Sequence, residues 1–177
     1  MNIKMKKLLF AALSTALLAG CAPTPKQINI PYQFDSNQAK KQLEPGSERL
    51  EGNAFLRQVG GGIVNCAGYN VDLYPSSPYT KARIEGMYPL NQWLGNRFIS
   101  ADTFNPDYPD FKNIKRSTTC DSEGNFVFGS LKTGEYIVVT EVRWSVPSQF
   151  GMQQQGGYIL KPITITKGQK NKLVISQ

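Results

Sequence analysis

The sequence predicts an all-β sandwich, on three observations. From Leu50 onward, short apolar-rich runs alternate with clusters of Gly, Pro, Asn and Asp, the spacing of short strands and turns. The chain of 177 residues holds 16 Gly and 11 Pro with 40% hydrophobic and 19% charged residues, a globular, loop-rich composition. In Tyr136–Trp144, Tyr136, Val138, Val142 and Trp144 fall on one face while Glu141 and Arg143 fall on the other, so a half-buried strand with a water-facing side is expected. Histidine is absent from the whole sequence. That excludes Ser-His-Asp and Cys-His nucleophile systems, His-ligated zinc and a His acid/base.

The elements follow in chain order. Residues 1–7 carry only positive charge, and Leu8–Ala19 is an apolar run of about a dozen residues. A spanning helix needs about 20, so the run reads as the core of an export signal, residues 1–20. Leu18-Ala19-Gly20-Cys21 resembles a bacterial lipobox. The resemblance implies cleavage before Cys21 and acylation of it, and Ala22 in place of Asp implies sorting to the outer membrane. Several acyl chains exceed the two signals that stable anchoring requires. Losing Lys4, Lys6 and Lys7 with the signal lowers the formal charge from +7 to +4, too little to argue for nucleic acid.

Residues 21–49 read as a flexible tether, with Gln38–Leu43 as one helical turn and Glu44-Pro45-Gly46-Ser47 as the break before a domain at 50–177. About 29 flexible residues span roughly 30 Å. The alternative is that part of the tether adds an edge strand or covers a sheet. Strands are expected at Leu50–Gln58, Tyr69–Tyr74, Tyr136–Trp144, Gly157–Thr166 and Asn171–Ser176, with Pro162 marking an edge strand. Thr118–Phe128 reads as a strand, an Asp-Gly turn and a return strand carrying Phe126 and Phe128 on one face. Within the long segment Pro75–Lys115, Leu90, Trp93, Leu94 and Phe98 recur near helical spacing, so one short helix is expected at Pro89–Ser100.

These pieces carry a resemblance. Gly52-Asn53-Ala54-Phe55-Leu56, then Ala67–Pro75, then Thr119–Phe128 followed by Leu131 and Gly134-Glu135-Tyr136, are similar to the carboxypeptidase regulatory-like domains. The resemblance implies a seven-stranded Greek-key sandwich of the transthyretin-like kind, in antiparallel strands, and supports no catalytic assignment. Enzymes on related sandwiches depend on histidines, which this chain lacks.

Several residues invite a functional reading. Cys66 and Cys120 lie in an exported chain, where two leftover thiols usually pair; the alternative is two buried free thiols. Two cysteines without histidine cannot complete a metal site, and no cofactor is implied. Asp121–Asn125 offers oxygen ligands for calcium, but a turn needs the same Asp and Gly and no later bidentate carboxylate is in register. Asp102, Asp107 and Asp110 offer acid/base or cation chemistry, or else a solvated loop. Seven aromatics lie between Tyr79 and Phe111, and Tyr79, Tyr88, Trp93 and Tyr108 are candidates for a recognition surface, or else for core. Phe150, in the expected loop Ser145–Gly157, is a further candidate for seating a peptide, glycan or protein edge.

Together these features favour an outer-membrane lipoprotein presenting a non-catalytic binding or structural module to an envelope protein or glycan. The alternatives are a carboxylate-dependent glycan-acting enzyme and an accessory lipoprotein of a secretion or conjugation machine. Replacing Cys21 by Ala should move the protein out of the membrane fraction and abolish its labelling by radioactive fatty acid; continued sedimentation with label would refute acylation there.

Overall fold

Strand β8 (Gly134–Ser148) carries the architecture, because it is apolar on both faces where the sequence shows alternation on one. Tyr136, Val138 and Val142 point to one side and are fully buried. Ile137 and Val139 point to the other and are 4% and 3% exposed. The expected water-facing side is therefore covered along this part of the strand, and becomes polar only at Glu141 and Arg143. Near-continuous apolar runs are what a strand shows when both faces of its sheet are packed.

The computed structural model describes residues 25–88 and 102–176. In chain order these form β1 (Gln27–Asn29), α1 (Ser36–Leu43), β2 (Glu48–Arg57), β3 (Ile63–Asn65), β4 (Asn70–Pro75), α2 (Pro78–Met87) and β5 (Thr103–Asn105). A 3-10 turn at Pro109–Asn113 leads to β6 (Arg116–Thr119), β7 (Asn125–Leu131), β8, β9 (Gly151–Ile165) and β10 (Asn171–Ser176). One sheet centres on β2, which pairs with β10, β3 and β7; the other runs β6-β4-β8-β9. A two-stranded ribbon, β1-β5, completes ten strands among the described residues, where seven were expected. Two pairings, β10 with β2 and β1 with β5, are parallel, where antiparallel strands were expected.

The inner faces of the two sheets form the main core around Leu50, Leu56, Leu73, Phe126, Tyr136 and Ile159. A second core lies on the opposite face of the β4-β8 sheet. There Ile30, Phe34 and Ala39 join Tyr79, Ile84, Phe111 and Ile114 over Tyr74, Ile137 and Val139. Phe34 lies 5.2 Å from Tyr79 and 5.4 Å from Phe111 between ring centroids. From Gln27 on, the segment expected as a flexible tether is thus part of a covering layer. Over residues 27–49 the packing follows the alternative expectation, a segment that covers a sheet, and not the flexible linker: prolines and polar residues hid three apolar anchors, Ile30, Phe34 and Ala39, spaced too widely to show a period. Helix α1 starts where Asp35 accepts a hydrogen bond from the Gln38 backbone N–H at 2.9 Å, a side-chain N-cap.

The long segment 75–115 supplies the rest of this layer. Its helix α2 lies upstream of the expected one; Pro89–Ser100 falls outside the described residues. Ser77 caps α2, accepting from the Thr80 N–H at 3.0 Å, and Pro78 takes the first helical position. That Ser-Pro start is a legible helix signal. Expected strands at Thr118–Thr119 and Asn125–Phe128 form but do not pair, since β6 belongs to the β4 sheet and β7 to the β2 sheet. The connection is a sheet-to-sheet corner, closed by Asp121 accepting from the N–H groups of Glu123 and Asn125 at 2.9 and 2.8 Å. Gly124 has φ of +80°, and a Cβ there would meet Asn65 at 2.6 Å. The expected loop Ser145–Gly157 is instead a continuation of the β8-β9 ladder to Ser148 and Gly151. Pro162 does lie on an edge strand, β9.

A disulfide joins Cys66 and Cys120 across a Cα separation of 5.7 Å. Cys66 sits where the chain passes from β3 in one sheet to β4 in the other, and Cys120 where it passes back from β6 to β7. It closes a 54-residue loop that contains α2 and the long insertion. In the chain-entropy model such a loop is worth about 4 kcal/mol at most.

If residues 27–49 belong to the fold, Phe34→Ala should lower unfolding stability by about 3–5 kcal/mol, the usual cost of emptying a buried aromatic site. Urea denaturation followed by circular dichroism measures it. A linker residue would give no change.

Candidate functional site

Among the described residues the covering layer stops short of the whole outer face, and a cleft lies at its edge. Along β4, Val71 and Leu73 point inward, so Asn70 and Asp72 point to the outer face. Asp72 pairs with Val139 across the ladder, and Glu141, two residues along β8, pairs with Tyr158 of β9. Asn70, Asp72, Glu141 and Tyr158 therefore share one patch. Helix α2 runs over the sheet and delivers Tyr88 to it. The helix is held by buried Ile84, whose carbonyl accepts the Tyr88 backbone N–H at 2.8 Å. With Tyr69, these residues line a cavity of about 320 Å³.

Tyr88 and Tyr158 face each other with ring centroids 4.4 Å apart and planes tilted by 41°. Each carboxylate of the cleft is matched by a cation. Lys115 Nζ lies 2.6 Å from Asp72 Oδ2, and Ser117 donates its hydroxyl to Oδ1 at 2.6 Å. Arg143 pairs with Glu141 and lies 5.9 Å from the Tyr158 ring centroid. Burial, then the neighbouring Tyr158, Asp72 and Glu141, push the Tyr88 hydroxyl up to about 12. Burial and the Glu141 charge also raise Tyr158, and burial with Asp72 raises Tyr74. All three phenols stay protonated at neutral pH and can donate a hydrogen bond. The cleft thus offers apolar ring faces, neutral hydroxyl donors and carboxylate and amide acceptors. That is recognition chemistry.

The sequence-derived candidates separate sharply. Tyr88 lines the cleft. Tyr79 does not: it is fully buried, donates to the Pro106 carbonyl at 3.0 Å and packs edge-on to Tyr108 at 5.0 Å. Its candidacy for a recognition surface is corrected, because the covering layer needs it as core. Tyr108 is half-buried in that same aromatic group. Trp93 lies outside the described residues. Phe150 is 85% exposed at the β8-β9 turn, about 23 Å along the strand from Glu141. Asp102, Asp107 and Asp110 do not converge. Asp102 accepts from the Lys26 N–H at 3.0 Å, Asp107 pairs with Arg83 at 2.6 Å and Asp110 with Lys40 at 3.0 Å. Each fastens a different piece of the covering layer. Among the described residues, no group of three or more acidic, His or Cys side chains is placed to hold a metal.

Sequence reasoning missed Tyr69, Asn70, Asp72, Glu141 and Tyr158 as site residues. Signals existed in the alternation Asn70-Val71-Asp72-Leu73, which sets both polar residues on one face, and in Glu141 on the polar side of the Tyr136–Trp144 run.

The pattern of prokaryotic membrane lipoprotein lipid attachment sites matches residues 5–22, and indicates anchoring at a membrane through lipid. No helix among the described residues is long and apolar enough to cross a membrane. No curated protein sequence matches the chain. Among solved structures, it is similar to a Pseudomonas aeruginosa protein described as a candidate carbohydrate-binding protein. The two are 23% identical, with a TM-score of 0.66, over 82% of this chain and 99% of that one. That share is larger than residues 50–177 alone make up, so the likeness of fold reaches into the segment before Leu50.

Tyr88 supplies a pH signature. Below pH 10, its ordinary value, it is neutral folded or unfolded and adds no pH dependence. As the pH rises from 10 toward about 12, the unfolded chain ionises first, so stability falls through that window. Titrating phenolate absorbance in wild type and in Tyr88→Phe should place the missing step near pH 12. A missing step near 10 would show an open, solvated ring.

Proposed function

We propose that this chain is an outer-membrane lipoprotein, acylated on Cys21, whose sandwich binds glycan without catalysis at the Tyr69, Tyr88 and Tyr158 cleft. The observation that carries the reading is the pair of facing tyrosines beside Asn70, Asp72 and Glu141. A sugar ring presents an apolar C–H face and a rim of hydroxyls. Phenol faces pack against the first, and carboxylate and amide oxygens accept from the second. The fold likeness to a protein described as a candidate carbohydrate binder agrees with this choice of ligand. Resemblance to carboxypeptidase regulatory-like domains agrees with a non-catalytic module. Ala22 after the acylated cysteine favours the outer membrane.

The ion pairs argue for binding over hydrolysis. A carboxylic acid that donates a proton to a leaving group needs a raised pKa, and a nucleophile needs an open approach. Asp72 and Glu141 instead hold Lys115 and Arg143, which occupy the approach to their oxygens. Carboxylates oriented in this way serve as acceptors.

Calorimetric titration of the protein against neutral and acidic oligosaccharides should find a ligand class that Tyr158→Ala weakens by about 2 kcal/mol, roughly 30-fold. An unchanged thermal unfolding profile would show that the variant still folds. Equal affinities for wild type and variant would place the ligand elsewhere, and absence of binding across the panel would refute a glycan.

A further inference from the structure

Lipid attachment at Cys21 and a fold that starts at Gln27 leave six residues of reach between acyl chains and domain. Fully extended, that is at most about 20 Å. The domain is held at the membrane, not about 30 Å clear of it, and one of its ends must face the lipid.

The structure identifies that end. Strand β8 starts beside α1, where Gln42 donates to the Glu135 carbonyl at 2.8 Å, and runs to Glu141 and beyond. Helix α2 runs the same way: its start lies by Glu135, since Lys81 pairs with Glu135, and its end brings Tyr88 to Tyr158. Ile28 of β1 packs at that far end, so close to Gly86 that a Cβ there would meet Ile28 at 3.0 Å. The chain therefore leaves for its anchor at the end toward which β8 projects.

At this end β8 and β9 continue past the last residue paired to β4, Thr140, as a two-stranded arm. The eight residues Glu141–Ser148 extend it by about 23 Å, comparable with the reach of the anchor. No charged residue occurs from Trp144 to Leu160. At the tip Phe150 is 85% exposed and Met152 is 65% exposed. The β2-β3 turn projects in the same direction, beyond the Cys66–Cys120 bridge, and there Val59 is 99% and Ile63 59% exposed. Met87, at the end of α2, is exposed too. A long uncharged ribbon with an apolar tip is a liability in water, since a free hairpin is marginal and a free edge recruits strands.

We propose that this end of the domain sits on the membrane to which Cys21 is anchored, with Phe150 and Met152 at the arm tip entering the lipid interface. The contact can be weak. A tethered site faces its target at an effective concentration of about millimolar, so an intrinsic affinity of that order keeps it largely engaged. Seating of this kind fixes the orientation of a lipoprotein that acyl chains alone would leave free to tumble.

The acylated full-length protein is reconstituted into vesicles with and without brominated acyl chains, as wild type, Phe150→Trp and Lys170→Trp. Lys170 is exposed in the turn between β9 and β10, at the opposite end. Brominated lipid should remove most of the emission added by Phe150→Trp and little of that added by Lys170→Trp. Equal quenching of the two would overturn the seating. So would a shielded, lipid-insensitive emission at position 150 that declines as protein is diluted in the bilayer, which would assign the tip to a second copy. Flotation with the vesicles reports the anchor separately; its loss would overturn acylation and the seating together.

Discussion

Everything on the outer side of this molecule follows from one strand that cannot be left bare. Ile137 and Val139 of β8 sit on the face of the sheet away from the sandwich core, and water there would forfeit the burial of two large apolar side chains. The chain covers them with two segments far apart in sequence, the N-terminal stretch through Phe34 and Ala39 and the insertion through Tyr79, Ile84 and Phe111. Neither segment could form this layer alone. Phe34 needs the rings of Tyr79 and Phe111, and the β1-β5 ribbon draws one strand from each. Within the insertion, Arg83 ties α2 to β5 and the turn beyond it, lying 4.4 Å over the Phe104 ring and pairing with Asp107.

The disulfide makes the insertion tolerable. Both half-cystines sit where the chain crosses between sheets, so the bridge pins the two crossings together at the base of a 54-residue excursion. Chain entropy that would otherwise favour opening the excursion is removed from the unfolded state. The covering layer then has only to dock, and its surface ion pairs, from Lys40 to Asp110 and from Lys132 to Glu44, add little beyond register.

The cleft is a consequence of where that layer ends among the described residues. As β8 passes from Val139 to Glu141 its outer row turns from apolar to charged, and Tyr88 arrives just there from α2. A site at the border between a rigid sheet and a covering layer combines fixed polar groups with aromatic faces, the mixture typical of small-ligand pockets. On the seating proposed above, this same end faces the membrane, and the cleft lies close to it.

How much of this was legible in the sequence can be seen residue by residue. The lipoprotein attachment signature, β2, β4, β10 and the Cys66–Cys120 pair were legible, because each rests on a local pattern or on compartment chemistry. Polar Glu141 and Arg143 on β8 were legible as well, but Ile137 and Val139 beside them were the stronger signal and imply a second covered face. The pairing of strands was not legible. Thr119 and Asn125 flank a turn that would close a hairpin on local grounds, yet the chain uses it to change sheets. Local turn chemistry permits both, and only the packing of Phe126 and Phe128 against the opposite sheet selects one. Nor could sequence distinguish core from surface among the aromatics of the insertion: Tyr79 and Tyr88 are nine residues apart on one helix and its cap, one wholly buried and the other lining the cleft. Sequence set which side chains were apolar, aromatic or charged; the tertiary structure alone decided which of them had a neighbour, because burial depends on segments that meet only after the sheet has formed.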